Sequence, residues 1–92
     1  MDLKWDAVKN KVNQQKHGVS FEEAVTVFYD PLARLGHDPD HSTEEDRFIL
    51  IGYSRKNQLL FVVHVYKESA NTVRIISARK ATKREKSDFE NL

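Results

Sequence analysis

The chain has no cysteine, three glycines, two prolines and one tryptophan in 92 residues. Without cysteine there is no disulfide framework, no thiolate nucleophile and no Cys-ligated zinc, so packing alone must hold the fold. That suits a reducing cytoplasm, the expected location. Glycine is too scarce for phosphate-cradling loops: no P-loop, G-x-G-x-x-G or G-x-S-x-G string occurs. The longest apolar run, Leu59 to Val63, falls far short of the roughly 20 residues that cross a bilayer. The first twenty residues place charge or amide groups every few positions, where a signal peptide would need an apolar stretch. Neither a membrane segment nor a secretory leader is expected.

What the chain does have is enough for one core. Hydrophobic residues make up 39% of it, and a chain of this size buries roughly 60 to 65% of its unfolded surface. Residues 1–92 therefore read as a single domain. Fifteen Lys and Arg against fourteen Asp and Glu give a net charge of +1, which hides a polarity along the chain. From Asp30 to Asp46 six acidic residues face one basic one, and from Arg74 to Lys86 six basic residues face one acidic one. Met1 to His17 adds a net +2; charge runs are often only solvated faces, but two basic ends around an acidic middle also fit a polyanionic partner.

The element pattern is that of an α+β fold. Asp6 is an N-cap for a helix over 7–17 that carries Val8 and Val12 four residues apart, and Gly18 is its left-handed terminator. Ser20 and Glu23 form a capping box for a second, short helix with Phe21, Ala24, Val25 and Phe28 on its apolar stripe, ended by Asp30-Pro31. Leu32 to Leu35 reads as a short edge strand, and Gly36 to Thr43 as a polar loop. Arg47 to Ser54 and Leu59 to Tyr66 read as a hairpin around Arg55-Lys56-Asn57-Gln58, with Asn57 tolerating positive φ. Val73 to Ser77 supplies another strand, and the Thr82/Glu85 capping box opens a helix over about 83–91. The expected architecture is two N-terminal helices, a three- to four-stranded antiparallel sheet covered on one face, and a C-terminal helix.

A turn symmetric about Lys56-Asn57 sets Arg47 opposite Tyr66 and Ile49 opposite His64, so Arg47, His64 and Tyr66 should share a face. Arg74 leaves its strand on the face opposite Val73 and Ile75, and joins Arg47 only if the register permits. His37 and His41 flank Asp38 and Asp40 without a zinc-binding spacing, so no metal and no cofactor is expected. Any catalysis would come from His, Glu, Lys, Arg and Tyr. That set suffices for RNA cleavage, because RNA carries its own nucleophile in the 2′-OH. His17 or Glu45 is then a candidate base, Arg47 and Arg74 a guanidinium clamp on the phosphate, and Lys16 an added point charge. Each has a bland alternative: Lys16 and His17 as cations at a helix C-terminus, Glu45 as the ion-pair partner of Arg47.

At these residues the chain resembles the BrnT family of type II toxin–antitoxin systems. The likeness runs from Trp5-Asp6 through Lys9, Asn13, the string from Lys16 to Ala24 (KHGVSFEEA) and Phe28-Tyr29-Asp30-Pro31, to Glu45-Asp46-Arg47, Ile51 to Ser54, and Arg74 to Thr82 (RIISARKAT). The resemblance implies a small RelE-like domain and metal-independent ribonuclease activity that blocks translation. It also implies neutralisation by a BrnA-like antitoxin of the ribbon-helix-helix type, which alone contacts operator DNA, in a hetero-oligomer. Carried over, it points to Lys16, His17, Glu45, Arg47, Arg74 and Arg79; with the sheet-face and charge readings added, His17, Glu45, Arg47 and Arg74 are the catalytic candidates and Lys16, Tyr66, Arg79 and Lys80 the RNA-contacting ones. The Arg55 to Gln58 hairpin lacks an expected glycine, and Leu3 and Lys4 stand where relatives often carry an aromatic and an acid. The competing reading is a non-catalytic module that binds RNA or protein through its basic C-terminal region.

Overall fold

The computed structural model describes residues 1–38 and 47–91. The chain runs β1 (Asp2–Lys4), α1 (Ala7–His17), α2 (Phe21–Thr26), a 3-10 turn at Val27–Tyr29, β2 (Arg34–His37), β3 (Arg47–Tyr53), β4 (Leu59–Lys67), β5 (Thr72–Lys80) and α3 (Lys83–Glu90). The five strands form one sheet in the order β1-β5-β4-β3-β2. It is mixed, not purely antiparallel: β1 lies parallel to β5, with Leu3 beside Val73 and Lys4 beside Arg74. Three residues are too few to show a period, which is why the sequence does not announce this strand.

Local chemistry sets the helix ends. The Asp6 carboxylate accepts from the Val8 and Lys9 amides, and Gly18 closes α1 at φ 68°. Ser20 accepts from the Glu23 amide, but the reciprocal half of that box is missing, because Glu23 Oε2 instead accepts the Ser54 hydroxyl at 2.7 Å. The Thr82/Glu85 box of α3 is complete. In the β3–β4 hairpin Asn57 takes φ 60°, so asparagine serves where a glycine was expected.

One sheet face carries the core. Phe21, Ala24 and Val27 pack with Val19 on Leu50, Leu60, Val62, Val73, Ile75 and Ala78. α1 joins this face through amides instead of its valines: Val8 and Val12 are exposed, whereas Asn10 and Asn13 are buried. β1 pairs β5 only as far as Arg74, and beyond it the Asn13 amide takes the place of a neighbouring strand. Asn13 Oδ1 accepts the Ala78 N–H at 3.2 Å, and Asn13 Nδ2 donates to the Ala78 and Val19 carbonyls at 2.8 Å each.

The expectation of helices on one face is corrected as well. α3 packs on the opposite face, where the Phe89 ring meets the Tyr53 ring at 6.0 Å and the Arg34 guanidinium at 5.1 Å. Tyr53 Oη also donates to Glu90 at 2.9 Å. Among the described residues no helix is long and apolar enough to cross a membrane.

Candidate functional site

The hairpin register decides which charged side chains meet. Arg47 pairs with Val65 and Phe48 with His64, one residue away from the register expected of a symmetric turn. In a strand that shift exchanges faces. His64 and Tyr66 therefore lie on the helix-covered face with Leu60 and Val62, and Arg47 lies on the other. His64 is buried, its ring edge-on to Phe28 at 5.0 Å and stacked near Phe48 at 6.0 Å. Burial holds its pKa below the ordinary imidazole value. Tyr66 packs against the core beside Val73.

The same register brings the two arginines together. Arg47 pairs with Val65, and Val65 with Arg74. Both guanidinium side chains thus leave the same face in one cross-strand row, their backbones two strand spacings or about 10 Å apart. Arg47 is tethered, its Nε 3.4 Å from Asp38 Oδ2, with 23% of its side chain exposed. Asp38 comes to it because the Asp38 N–H donates to the Arg47 carbonyl, continuing the β2–β3 ladder. Arg74 is exposed.

A β-bulge extends the row's reach. β4 Val63 pairs with Ser77 but His64 with Ile75, so Ile76 has no partner in β4. Arg74 and Arg79 are five residues apart and would alternate to opposite faces in a regular strand. The bulge puts both on the face of Arg47. Arg79 is nevertheless engaged: it forms a two-pronged pair with Glu85 at 2.8 and 2.9 Å and lies 4.2 Å from the Phe61 ring centre. The pairing lowers the Glu85 pKa to about 2 and raises that of Arg79. This arginine anchors α3.

The remaining expected site residues stand elsewhere. Lys16 and His17 occupy the last turn of α1, which packs on the core face through Asn13 and Ala78. Lys80 pairs with Leu60 and so belongs to that face as well. Glu45 lies outside the described residues, as do His41 and Asp40 of the loop weighed for metal. Among the described residues no group of three or more His, Asp or Glu side chains is placed to hold a metal ion. Sequence reasoning missed Lys4 and Lys67, which share the arginine face. Lys4 is visible only once β1 is known to pair with β5.

Fold and face together define a class: a small α+β domain with a five-stranded mixed sheet whose uncovered region presents a row of cations. The crystal structure of the Brucella abortus ribonuclease toxin, BrnT, superposes with a TM-score of 0.69 over 90% of this chain and 99% of that one, at 24% identity. No curated protein matches the chain. The family model described as the ribonuclease toxin BrnT of type II toxin–antitoxin systems matches residues 5–85. The chain belongs to this family, and a toxin of a type II system implies an antitoxin partner.

Proposed function

We propose that this protein is an endoribonuclease that cuts RNA without a metal ion and so inhibits translation, and that an antitoxin of the BrnA-like, ribbon-helix-helix type neutralises it. The carrying observation is the cross-strand row that sets Arg47 and Arg74 together on the sheet face away from α1 and α2. Two guanidinium groups about 10 Å apart at the backbone have side chains long enough to converge on one phosphate. They would neutralise its oxygens in the ground state and the extra charge of the phosphorane in the transition state. The substrate's own 2′-OH attacks the adjacent phosphorus, the bond to the 5′-oxygen breaks, and a 2′,3′-cyclic phosphate remains.

Glu45, which stands two residues before Arg47 in the chain, is the first acid–base candidate in this reading; His17 is on the helix that packs behind the sheet and would reach RNA only around the sheet's rim. Cleavage rates of the His17→Gln and Glu45→Gln variants separate them. Tyr66 and Lys80, on the core face, would serve RNA only around the sheet's rim.

The test is cleavage of RNA by protein freed of antitoxin, in EDTA, with the product ends identified. Cyclic phosphate ends, and no cut at a position carrying a 2′-deoxy sugar, are expected. Cleavage that needs added metal, or that proceeds at the deoxy position, overturns the mechanism. RNA binding without any cutting supports the non-catalytic reading.

A further inference from the structure

The arginine face continues past Arg74 to the edge of the sheet. The parallel pairing of β1 sets Lys4 beside Arg74, so Lys4, Arg74, Val65 and Arg47 follow one another across four strands. The next row is Asp2, Thr72 and Lys67. Between the rows lies a concavity of about 340 Å³ lined by Lys4, Lys67, Thr72 and Arg74 above a floor that includes Val65 and Ile76. Among the described residues its lining holds three cations and no carboxylate. The Thr72 hydroxyl donates to the Ala70 carbonyl at 3.0 Å, so it shapes the wall and leaves recognition to the cations.

Among the described residues Asp2, Asp6 and Glu68 stand nearest, and none of them lines the concavity; Glu68 is in the turn that follows Lys67. Asp2 is beside Thr72 in the outer row. Asp6 feels the charge of Arg74, but its carboxylate is bound by the first amides of α1. Lys4 and Arg74 are side by side on neighbouring strands, about 4.8 Å apart at the backbone. Like charges so placed cost stability. An anion seated between them turns the repulsion into two attractions.

We propose that the concavity between Lys4, Arg74 and Lys67 is a phosphate subsite for single-stranded RNA. It holds the backbone phosphate next to the one lying between Arg74 and Arg47. The choice of RNA as ligand rests on the function proposed above; the anion site rests on the register. Arg74 is common to both positions, and Lys4 and Lys67 belong to the outer one alone. The subsite orients the strand before cleavage and takes no part in the bond change.

Binding of a 2′-O-methyl oligoribonucleotide of about ten residues, titrated against salt in EDTA, reads the subsite without cleavage. Each phosphate contact to a single strand contributes about 0.7 to the slope of log K against log salt. Lys4→Ala should therefore flatten the slope by about 0.7 and weaken binding about fivefold at 0.1 M salt. Lys4→Arg should restore both. On cleavable RNA, Lys4→Ala should raise KM by a larger factor than it lowers kcat. An unchanged salt slope in Lys4→Ala and Lys67→Ala overturns the subsite. So does a Lys4 resonance that shifts with inorganic phosphate while the RNA slope stays the same, since the concavity would then be a free-phosphate site. If the slope flattens but the parent never cuts RNA, the subsite stands and the ribonuclease reading falls.

Discussion

Replacing Asn13 by alanine removes a side chain that stands in for a strand along the outer edge of β5. The amide makes three buried hydrogen bonds, to the Ala78 N–H, the Ala78 carbonyl and the Val19 carbonyl. Alanine leaves all three backbone groups without that partner, in surroundings where Val19 and Ala78 have no exposure at all. Each orphaned group costs about 1–3 kcal/mol, and a water entering the vacated space recovers part of it. A net loss of about 3–4 kcal/mol follows, against a total of about 5–14 kcal/mol for a domain of this length. Urea unfolding followed by circular dichroism measures it. Val12→Ala, one residue earlier and half exposed, is the control and should stay within about 0.5 kcal/mol of the parent. A loss below about 1 kcal/mol in Asn13→Ala, at unchanged m-value, would refute the view that this amide completes the sheet.

Gly52→Ala should cost about 1–3 kcal/mol by overpacking: a Cβ there comes within 2.8 Å of Ala33 Cβ and 3.0 Å of Val27 Cγ1 and Asp30 Oδ2. Thermal unfolding reads the effect, and an unchanged midpoint would contradict the close packing of β3 under the Val27–Asp30 segment. Stability should fall in two pH ranges. His64 has a folded pKa below its unfolded value near 6.5, so the unfolded chain binds the proton first and stability declines as pH drops below that value. Glu85, lowered from 4.5 to about 2 by Arg79, contributes stability that is present above pH 4.5 and lost as the pH falls toward 2. Denaturant midpoints against pH should show both declines. Glu85→Gln should remove the lower one and leave the upper.

Much of the scaffold could be read from the sequence because local chemistry governs it. Asp6, Gly18, Ser20, Asn57 and Thr82 each act within four residues of their own position, and the helix ends and hairpin turn fall where those residues ask. The site depended on longer-range facts. A one-residue register difference moved His64 and Tyr66 away from Arg47, and turn composition alone does not fix register. The bulge at Ile76 aligned Arg74 with Arg79 against simple alternation, and no residue type marks it. Lys4 joined the face through a three-residue parallel strand too short to leave a pattern. α1 read as an amphipathic helix with Val8 and Val12 inward, yet it turned them outward because Asn10 and Asn13 hydrogen-bond backbone groups of the Val19–Phe21 turn and of β5.

The central claim is that Arg47 and Arg74 act together on an RNA phosphate from one sheet face. Initial rates of RNA cleavage in EDTA by the parent and by the Arg47→Ala/Arg74→Ala double variant, matched in fold by circular dichroism, test it most directly. Loss of a single preorganised donor to a developing oxyanion typically costs about a hundred- to a thousandfold in kcat. The double variant should therefore fall at least a thousandfold. Undiminished cleavage by that variant would contradict the account.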